Sequence, residues 1–404
     1  MPIRVLRDKT IVLGVTGSIA AYKAVEIASR LVKAGAHVDV ALTEAATRLV
    51  TPLTFQAITH RPVITNLFDP RGELGIDHVA LAKRADAMVV APITANTLAK
   101  LAHGLADDVV STTFLAVEAP TIVAPAMESH MWLHPATQRN METLRSWGVT
   151  VVDPESGHLA SGAEGIGRLA EPITIVETIR QVLGRDGPLA GRHVIVTAGP
   201  TREAIDPVRY ISNHSSGRMG YAIAEAARDL GARVTLVSGP TALPSPVGVQ
   251  LIAVTSTEEM RDAVLQRVAD ADAVVGSAAV SDYRPAKSST EKIKKGEGGL
   301  SLELVRNPDI LLEVKAWKER GGRRRPVVIG FAAETHNLLE NARSKLVRKG
   351  MDLIVANPVP ATFGAGTVQA TLLRPNRSPE ALQPLTKTEL ADRIVDRLVV
   401  LLQE

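Results

Sequence analysis

Two stretches of this chain follow one plan. TIVLGVTGSIAAYKAVEIASRLVKAGAHVDVALT (10–43) reads as an apolar run, a Gly/Thr/Ser turn, an amphipathic helix, a glycine and a second apolar run. RHVIVTAGP (192–200) opens the same way, and the helix GYAIAEAARDLGA (220–232) leads into RVTLVSGP (233–240). A strand, a crossover helix and a second strand make a βαβ unit, which commits the chain to parallel sheets. Gly35 and Gly231 stand where each helix should stop.

Further short apolar runs follow each unit. ADAMVVAP and APTIVAP lie in the first half, and DAVVGSAAV, PVVIGFAAE and DLIVANP in the second. Continuous rather than alternating apolar runs are expected of strands buried on both faces. The 404 residues are enough for roughly two to three domains. The Gly/Pro-rich stretch GRDGPLAGR (184–192) is the best linker. Two α/β domains are therefore expected, 1–188 and 189–404.

Composition removes several function classes. There is no cysteine, so disulfides, thiolate nucleophiles and cysteine-held zinc or iron–sulfur groups are excluded. The net charge of +3 implies no nucleic-acid partner. No apolar run reaches the ~18–20 residues of a membrane span, and no signal peptide is expected, so a cytoplasmic location is expected.

Ligands of open α/β sheets bind at the carboxyl ends of the strands, and the polar motifs all sit there. In GVTGSIAAYK (14–23), Gly17 and Ser18 lie where a strand turns into a helix, which suits a phosphate or a plain tight turn. In APITANTLAK (91–100), Thr94 and Asn96 offer phosphate donors or an N-cap. His78 opens a predicted helix after a Gly-rich loop. His130 and His134 are four apart, but Pro135 interrupts any helix carrying both, so no metal site is expected.

The second half has the longest motif, VTAGPTREAIDPVRYISNHSSGRMGYAIA (196–224), a polar loop ending on a helix and suited to a triphosphate or acyl phosphate. GSAAVSDYRPAKSSTEKIKKGEGG (276–299) adds Asp282 at a strand end and a basic segment with Lys292, Lys294 and Lys295. Asn307, Asp309, Phe331, Lys345 and Lys349 follow at later strand or helix ends.

These motifs carry a resemblance. GVTGSIAAYK, IDHVALAKRADAMVVAPITANTLAKLAHGLADD, the PAMESHMW loop and GIGRLAEP resemble the flavin-dependent cysteine decarboxylases. With the second half included, the chain resembles, nearly end to end, the bifunctional phosphopantothenoylcysteine decarboxylase / phosphopantothenate–cysteine ligase family of bacterial coenzyme A synthesis. The resemblance implies two Rossmann-like or flavodoxin-like domains. It implies FMN held by Gly17, Ser18, Thr94 and Asn96, with His78 as catalytic histidine. In the second half it implies CTP-dependent activation of 4'-phosphopantothenate as an acyl-cytidylate, followed by attack of cysteine. Asn213 would steady that intermediate and Lys292 the transition-state charge. Asp282, Asn307, Pro308, Asp309, Ile310, Phe331, Lys345 and Lys349 would line the CTP site, with Mg2+ bridging the phosphates. A homo-oligomer, a dodecamer, is also implied.

Two positions depart from the family pattern. Glu128 stands where an Asn usually binds the substrate carboxylate, and Ser161 stands in or near the place of a cysteine proton donor. The proton donor is then another group, with Glu128, His130 or a water as candidates. These departures motivate a rival in which the flavin domain is structural or impaired beside a working ligase. A second rival, two dinucleotide-dependent oxidoreductase domains, lacks the G-x-G-x-x-G fingerprint.

Overall fold

The computed structural model describes residues 3–68, 77–295, 299–321, 326–334, 336–358 and 367–404. The Gly-rich stretch before His78 and Gly296–Gly298 of the lysine segment lie outside them. The chain divides into two compact units, Met1–Gly184 and Arg185–Glu404. The division falls inside the 184–192 stretch.

The first unit is a six-stranded sheet of β1 (Thr10–Val15), β2 (His37–Leu42), β3 (Val63–Ile64), β4 (Ala87–Ile93), β5 (Thr121–Pro125) and β6 (Thr150–Val151). The order is β3-β2-β1-β4-β5-β6, and every pairing is parallel. A hairpin of β7 (Glu155–His158) and β8 (Glu164–Arg168) stands apart from the sheet. The helices are α1 (Ala21–Lys33), α2 (Glu44–Thr47), α3 (Pro52–Thr59), α4 (Asp77–Arg84) and α5 (Ala95–His103). After them come α6 (Val109–Ala116), α7 (Ser129–Leu133), α8 (Pro135–Ser146) and α9 (Pro172–Gly184).

Burial explains the unbroken apolar strands. Ile11, Leu13 and Val15 of β1 pack with Ile27 and Leu31 of α1 and Ile175 and Ile179 of α9. Val12 faces the other way, toward Leu81 of α4, Leu98 of α5, Val110 of α6 and Met141 of α8. Both faces of the sheet are covered, so each strand position has an apolar neighbour. α1 buries Ala21, Ala24, Ile27, Ala28 and Leu31, one stripe at helical spacing. It stops before Gly35, whose φ of 93° is left-handed.

The second unit repeats the scheme. Its strands are β9 (His193–Ala198), β10 (Arg202–Ala204), β11 (Tyr210–Ser212), β12 (Arg233–Ser238), β13 (Val249–Ala253) and β14 (Ala273–Gly276). They continue with β15 (Tyr283–Pro285), β16 (Leu304–Arg306), β17 (Val327–Glu334), β18 (Leu353–Pro358), β19 (Thr371–Leu373) and β20 (Glu380–Ala381). The sheet runs β13-β12-β9-β14-β17-β18-β19-β20, antiparallel only at β19 and β20. α10 (Arg218–Arg228) and α14 (Lys387–Leu401) contribute to the core on one face. α11 (Thr257–Leu265), α12 (Ile310–Glu319) and α13 (Leu338–Arg348) contribute to the other.

The expectation of α/β domains with parallel sheets holds, with additions. The antiparallel edge and the hairpins β10–β11 and β15–β16 were not legible, because strands of two or three residues carry no periodicity. The polar loop after β9 is in part the β10–β11 hairpin.

Candidate active sites

In the first unit the strand order reverses between β1 and β4, which opens a crevice at their carboxyl ends. Thr16, fully buried, stitches this crevice together. Its Oγ1 donates to the Pro92 carbonyl at 2.8 Å and accepts from the Thr94 N–H at 3.0 Å. The loops carrying Gly17 and Ser18, and Thr94 and Asn96, are thereby held side by side. Gly17 admits no side chain, because a Cβ would collide with that of Ala45. Ser18 accepts the Ala20 N–H at 3.3 Å. Thr94 caps α5 by accepting the Thr97 N–H at 3.2 Å, and Asn96 is exposed on the first turn. The N-cap and phosphate readings of this loop are compatible, since a capped helix start still presents its other N–H groups.

His78 is the second residue of α4. α4 leads into β4 of a parallel sheet, so its N-terminus lies at the same carboxyl edge as the crevice. The His78 ring is half-buried, and its Nδ1 is buried with no partner among the described residues; the Thr112 hydroxyl of α6 is likewise buried and unpartnered among them. Buried polar atoms without partners are rare in folded proteins and mark places where a ligand or water completes the bonding. Two paired loops rich in N–H groups, a helix start and an orphaned imidazole nitrogen fit a phosphate-bearing flavin.

The PAMESHMW loop follows β5. Met127 N–H donates to the Gly167 carbonyl at 3.0 Å, and the Ser129 hydroxyl donates to the Ile166 carbonyl at 2.7 Å, so the β7–β8 hairpin is pinned to this loop. Glu128 is the N-cap of α7, its carboxylate accepting the His130 N–H at 2.7 Å. α7 ends at Leu133, and His134 caps α8. The two histidines therefore sit on different helices, and no group of three or more metal-ligand side chains occurs among the described residues. Trp132 is 6% exposed and Met127 packs against the core, but Met131 is 49% exposed. Met131 thus faces solvent while its neighbour Trp132, about 100° further round the same helix, is buried. Ser161 is exposed on the turn of the β7–β8 hairpin, where its hydroxyl accepts the Ala163 N–H at 3.5 Å.

In the second unit a cavity of about 700 Å³ opens at the carboxyl ends of β14 and β17. Asp282, Asn307, Pro308, Asp309, Ile310, Phe331 and Lys349 all line it. The start of α12 forms one wall. Asp309 caps that helix, accepting the Leu312 N–H at 3.3 Å, and its other oxygen holds Lys349 Nζ at 2.9 Å. One carboxylate therefore fixes both a helix N-terminus and a cation, two sources of positive potential, on the same cavity. Arg306 and Arg348 add to it. Both ends of the Asn307 amide are engaged, Nδ2 donating to the Ser281 carbonyl at 2.8 Å and Oδ1 accepting from Arg284 at 3.1 Å.

Three expected residues lie outside the cavity lining. Lys345 pairs with Glu334 at 2.5 Å. Asn213 donates through Nδ2 to the Val280 carbonyl at 2.9 Å, so it braces a lining residue. Lys292 is exposed, on a segment fastened at its neighbour: Ile293 N–H donates to Asp206 at 3.2 Å, and the Ile293 carbonyl accepts from Arg209 at 2.9 Å. Asp206 is buried, and the Arg209 guanidinium holds its carboxyl well below the usual carboxylate range.

Sequence reading missed the threonines. Thr197, at the end of β9, accepts the Ala278 N–H at 3.2 Å, as Thr16 does for the Thr94 N–H in the first unit. Thr201 accepts the Ser281 N–H at 3.0 Å. The dipeptide Val-Thr closing the first strand of each repeat was the available signal.

Comparison with known proteins gives the family of each unit. Residues 189–401 match the DNA/pantothenate metabolism flavoprotein C-terminal domain family, and residues 3–184 match the Flavoprotein family. The coenzyme A biosynthesis bifunctional protein CoaBC of Bacillus subtilis (strain 168) is 44% identical over 402 residues, covering 98% of each chain. The protein of that name from Escherichia coli (strain K12) is 48% identical over 357 residues, 88% of this chain and 87% of its own. A crystal structure of the C-terminal domain of a CoaBC protein is 40% identical, covers 54% of this chain and 98% of its own, and superposes with a TM-score of 0.46. The chain belongs to the family of coenzyme A biosynthesis bifunctional CoaBC proteins.

Proposed function

We propose that this chain performs two consecutive steps of coenzyme A synthesis. The second unit joins 4'-phosphopantothenate to cysteine with CTP, and the first decarboxylates the product to 4'-phosphopantetheine with FMN. The observation that carries this reading is the joint match of a flavoprotein half and a ligase-type half in one chain, with a relative of the bifunctional type covering 98% of it.

A carboxylate is a poor electrophile, so the ligase half must activate it. The phosphopantothenate carboxylate attacks the α-phosphorus of CTP and displaces pyrophosphate. The cysteine amine then attacks the acyl carbon, loses a proton and displaces CMP. The start of α12 with Lys349 suits the negative charge of the triphosphate and the departing pyrophosphate. Lys292 adds charge from its fastened segment, and Asn213 braces the wall beside the acyl group. Mg2+ would arrive with the nucleotide and offset the negative charge of its phosphates.

In the decarboxylase half, bound FMN would take two electrons from the cysteinyl thiol, making loss of CO2 feasible, and return them to the decarboxylated product, so that no net oxidation occurs. The N–H groups around Gly17, Ser18, Thr94 and Asn96 hold its phosphate. His78 exchanges a proton at the substrate through its imidazole. Glu128 caps α7, so its carboxylate already has a structural partner and does not by itself argue for an inactive flavin half. The same reading includes a homo-oligomer. Ile19, Tyr22, Leu53 and Phe68 are exposed apolar side chains of the first unit available for such contacts.

Paired substitutions test the assignment. Lys292→Gln abolishes cysteine ligation and leaves CO2 release from phosphopantothenoylcysteine intact. His78→Asn does the reverse. Equal loss of both activities in either variant contradicts two separate sites.

A further inference from the structure

Behind the cavity of the second unit stands a cation that does not line it. Arg284 lies in the middle of β15, opposite Val305 of β16 and next to the lining residue Tyr283. Arg284 itself is not among the described residues that line the cavity. Its Nη1 donates to Asn307 Oδ1 and to the Arg306 carbonyl, each at 3.1 Å, and its Nη2 meets Glu258 at 3.2 Å. Asn307 also closes the cavity end of the β15–β16 hairpin, its backbone N–H donating to the Asp282 carbonyl at 2.9 Å. Asp282, Arg306 and Asn307 all line the cavity.

Donor chemistry fixes the orientation of the Asn307 amide. A guanidinium can only donate and the Ser281 carbonyl can only accept, so Oδ1 faces Arg284 and Nδ2 faces Ser281, at 2.8 Å. One lone pair of Oδ1 and one N–H of Nδ2 remain for a ligand. Both bonds trace back to the start of α11. On one route Arg284 is held by Glu258, in the first turn of that helix. On the other, the Ser281 N–H donates to Thr201 Oγ1 at 3.0 Å, and Thr201 Oγ1 lies 3.1 Å from Thr257 Oγ1, whose residue opens the same helix. Thr257 is fixed in turn by the buried Glu203, which accepts its N–H at 3.0 Å and its hydroxyl at 2.7 Å. The Arg284–Glu258 pair is partly exposed and contributes little stability by itself. The bonds of Nη1 are the ones that orient the amide.

We propose that Arg284 is a positioning residue of the nucleotide site, holding the Asn307 amide in the orientation the nucleotide meets without touching the nucleotide itself. The inference rests on the reading of this cavity as the CTP site.

Calorimetric titration of the full chain with CTP and Mg2+ tests it. Arg284→Met keeps the aliphatic stem and removes the donors, and CTP affinity falls about tenfold or more, the scale of a hydrogen bond to a charged group. Arg284→Lys keeps the charge but not the planar fork, so the loss persists. In an Asn307→Ala background, Arg284→Met costs no more than about a further twofold, because the group it orients is gone. Melting midpoints close to that of wild type show that the variants fold. The proposal fails if Arg284→Met binds CTP like wild type, or if the two losses multiply in the double variant. It also fails if Arg284→Lys restores the affinity, since the charge itself would then be the determinant. If wild type binds no CTP, the assignment of the cavity falls with it, whereas CTP binding with multiplying losses refutes the role of Arg284 alone.

Discussion

Thr16→Val tests whether one hydroxyl holds the flavin crevice together. Valine keeps the volume of a residue that is fully buried, so packing changes little. The Pro92 carbonyl keeps a donor, the Thr16 N–H at 3.3 Å, but the Thr94 N–H loses its acceptor. A lost hydrogen bond and an orphaned donor together cost about 2–3 kcal/mol. For a unit of this size that lowers the unfolding midpoint by roughly 4–12 °C. Thr94 is also the cap of α5, so its displacement misaligns the helix start, and the Kd for FMN rises by about tenfold or more. The assay is FMN titration by flavin fluorescence, then heating of the loaded chain with the same signal, which reports the first unit alone. Thr16→Ser is the control, keeping the hydroxyl and losing a methyl worth about 1 kcal/mol. Unchanged flavin affinity and an unshifted midpoint in Thr16→Val would refute the stitching role.

Three further outcomes are expected. Asp309→Ala removes a helix cap worth about 1 kcal/mol and the Lys349 anchor, so CTP KM rises; Asp309→Asn regains the stability but not the KM, as melting curves and steady-state kinetics read separately. Glu128→Asn keeps a good cap and changes stability by less than about 0.5 kcal/mol, with CO2 release at least at the wild-type rate; a fall in rate in the folded variant makes the carboxylate a participant. Burial pushes the His193 imidazole below its ordinary value, so as pH falls through about 6.5 the unfolded chain takes up the proton first and stability declines. Denaturation of His193→Gln at pH 8 and pH 5.5 should show a smaller loss on acidification than wild type, and an equal loss would remove His193 from the acid response.

Much of this protein is written locally. The β–α–β repeats are readable because burial on both faces demands unbroken apolar strands, and α1 and α10 show their apolar stripes at helical spacing. Gly35 and Gly231 are readable because a left-handed position after a helix favours glycine. Pro135 announces the break between His130 and His134 because proline starts a helix but cannot continue one. These are consequences of covalent geometry and periodicity, which sequence carries directly.

Partnership is what tertiary structure alone decides. Sequence shows Glu128 as a carboxylate in an unusual place; only the fold gives it the His130 N–H. Sequence shows Asp309 and Lys349 as separate polar residues; packing of α12 and α13 beneath one cavity turns them into an ion pair at a helix start. Thr16 and Thr94 are 78 positions apart, and the hydrogen bond joining them exists only because the sheet order places β4 beside β1. Hydrogen bonds and ion pairs act over a few ångströms, so their pattern follows strand order rather than chain order.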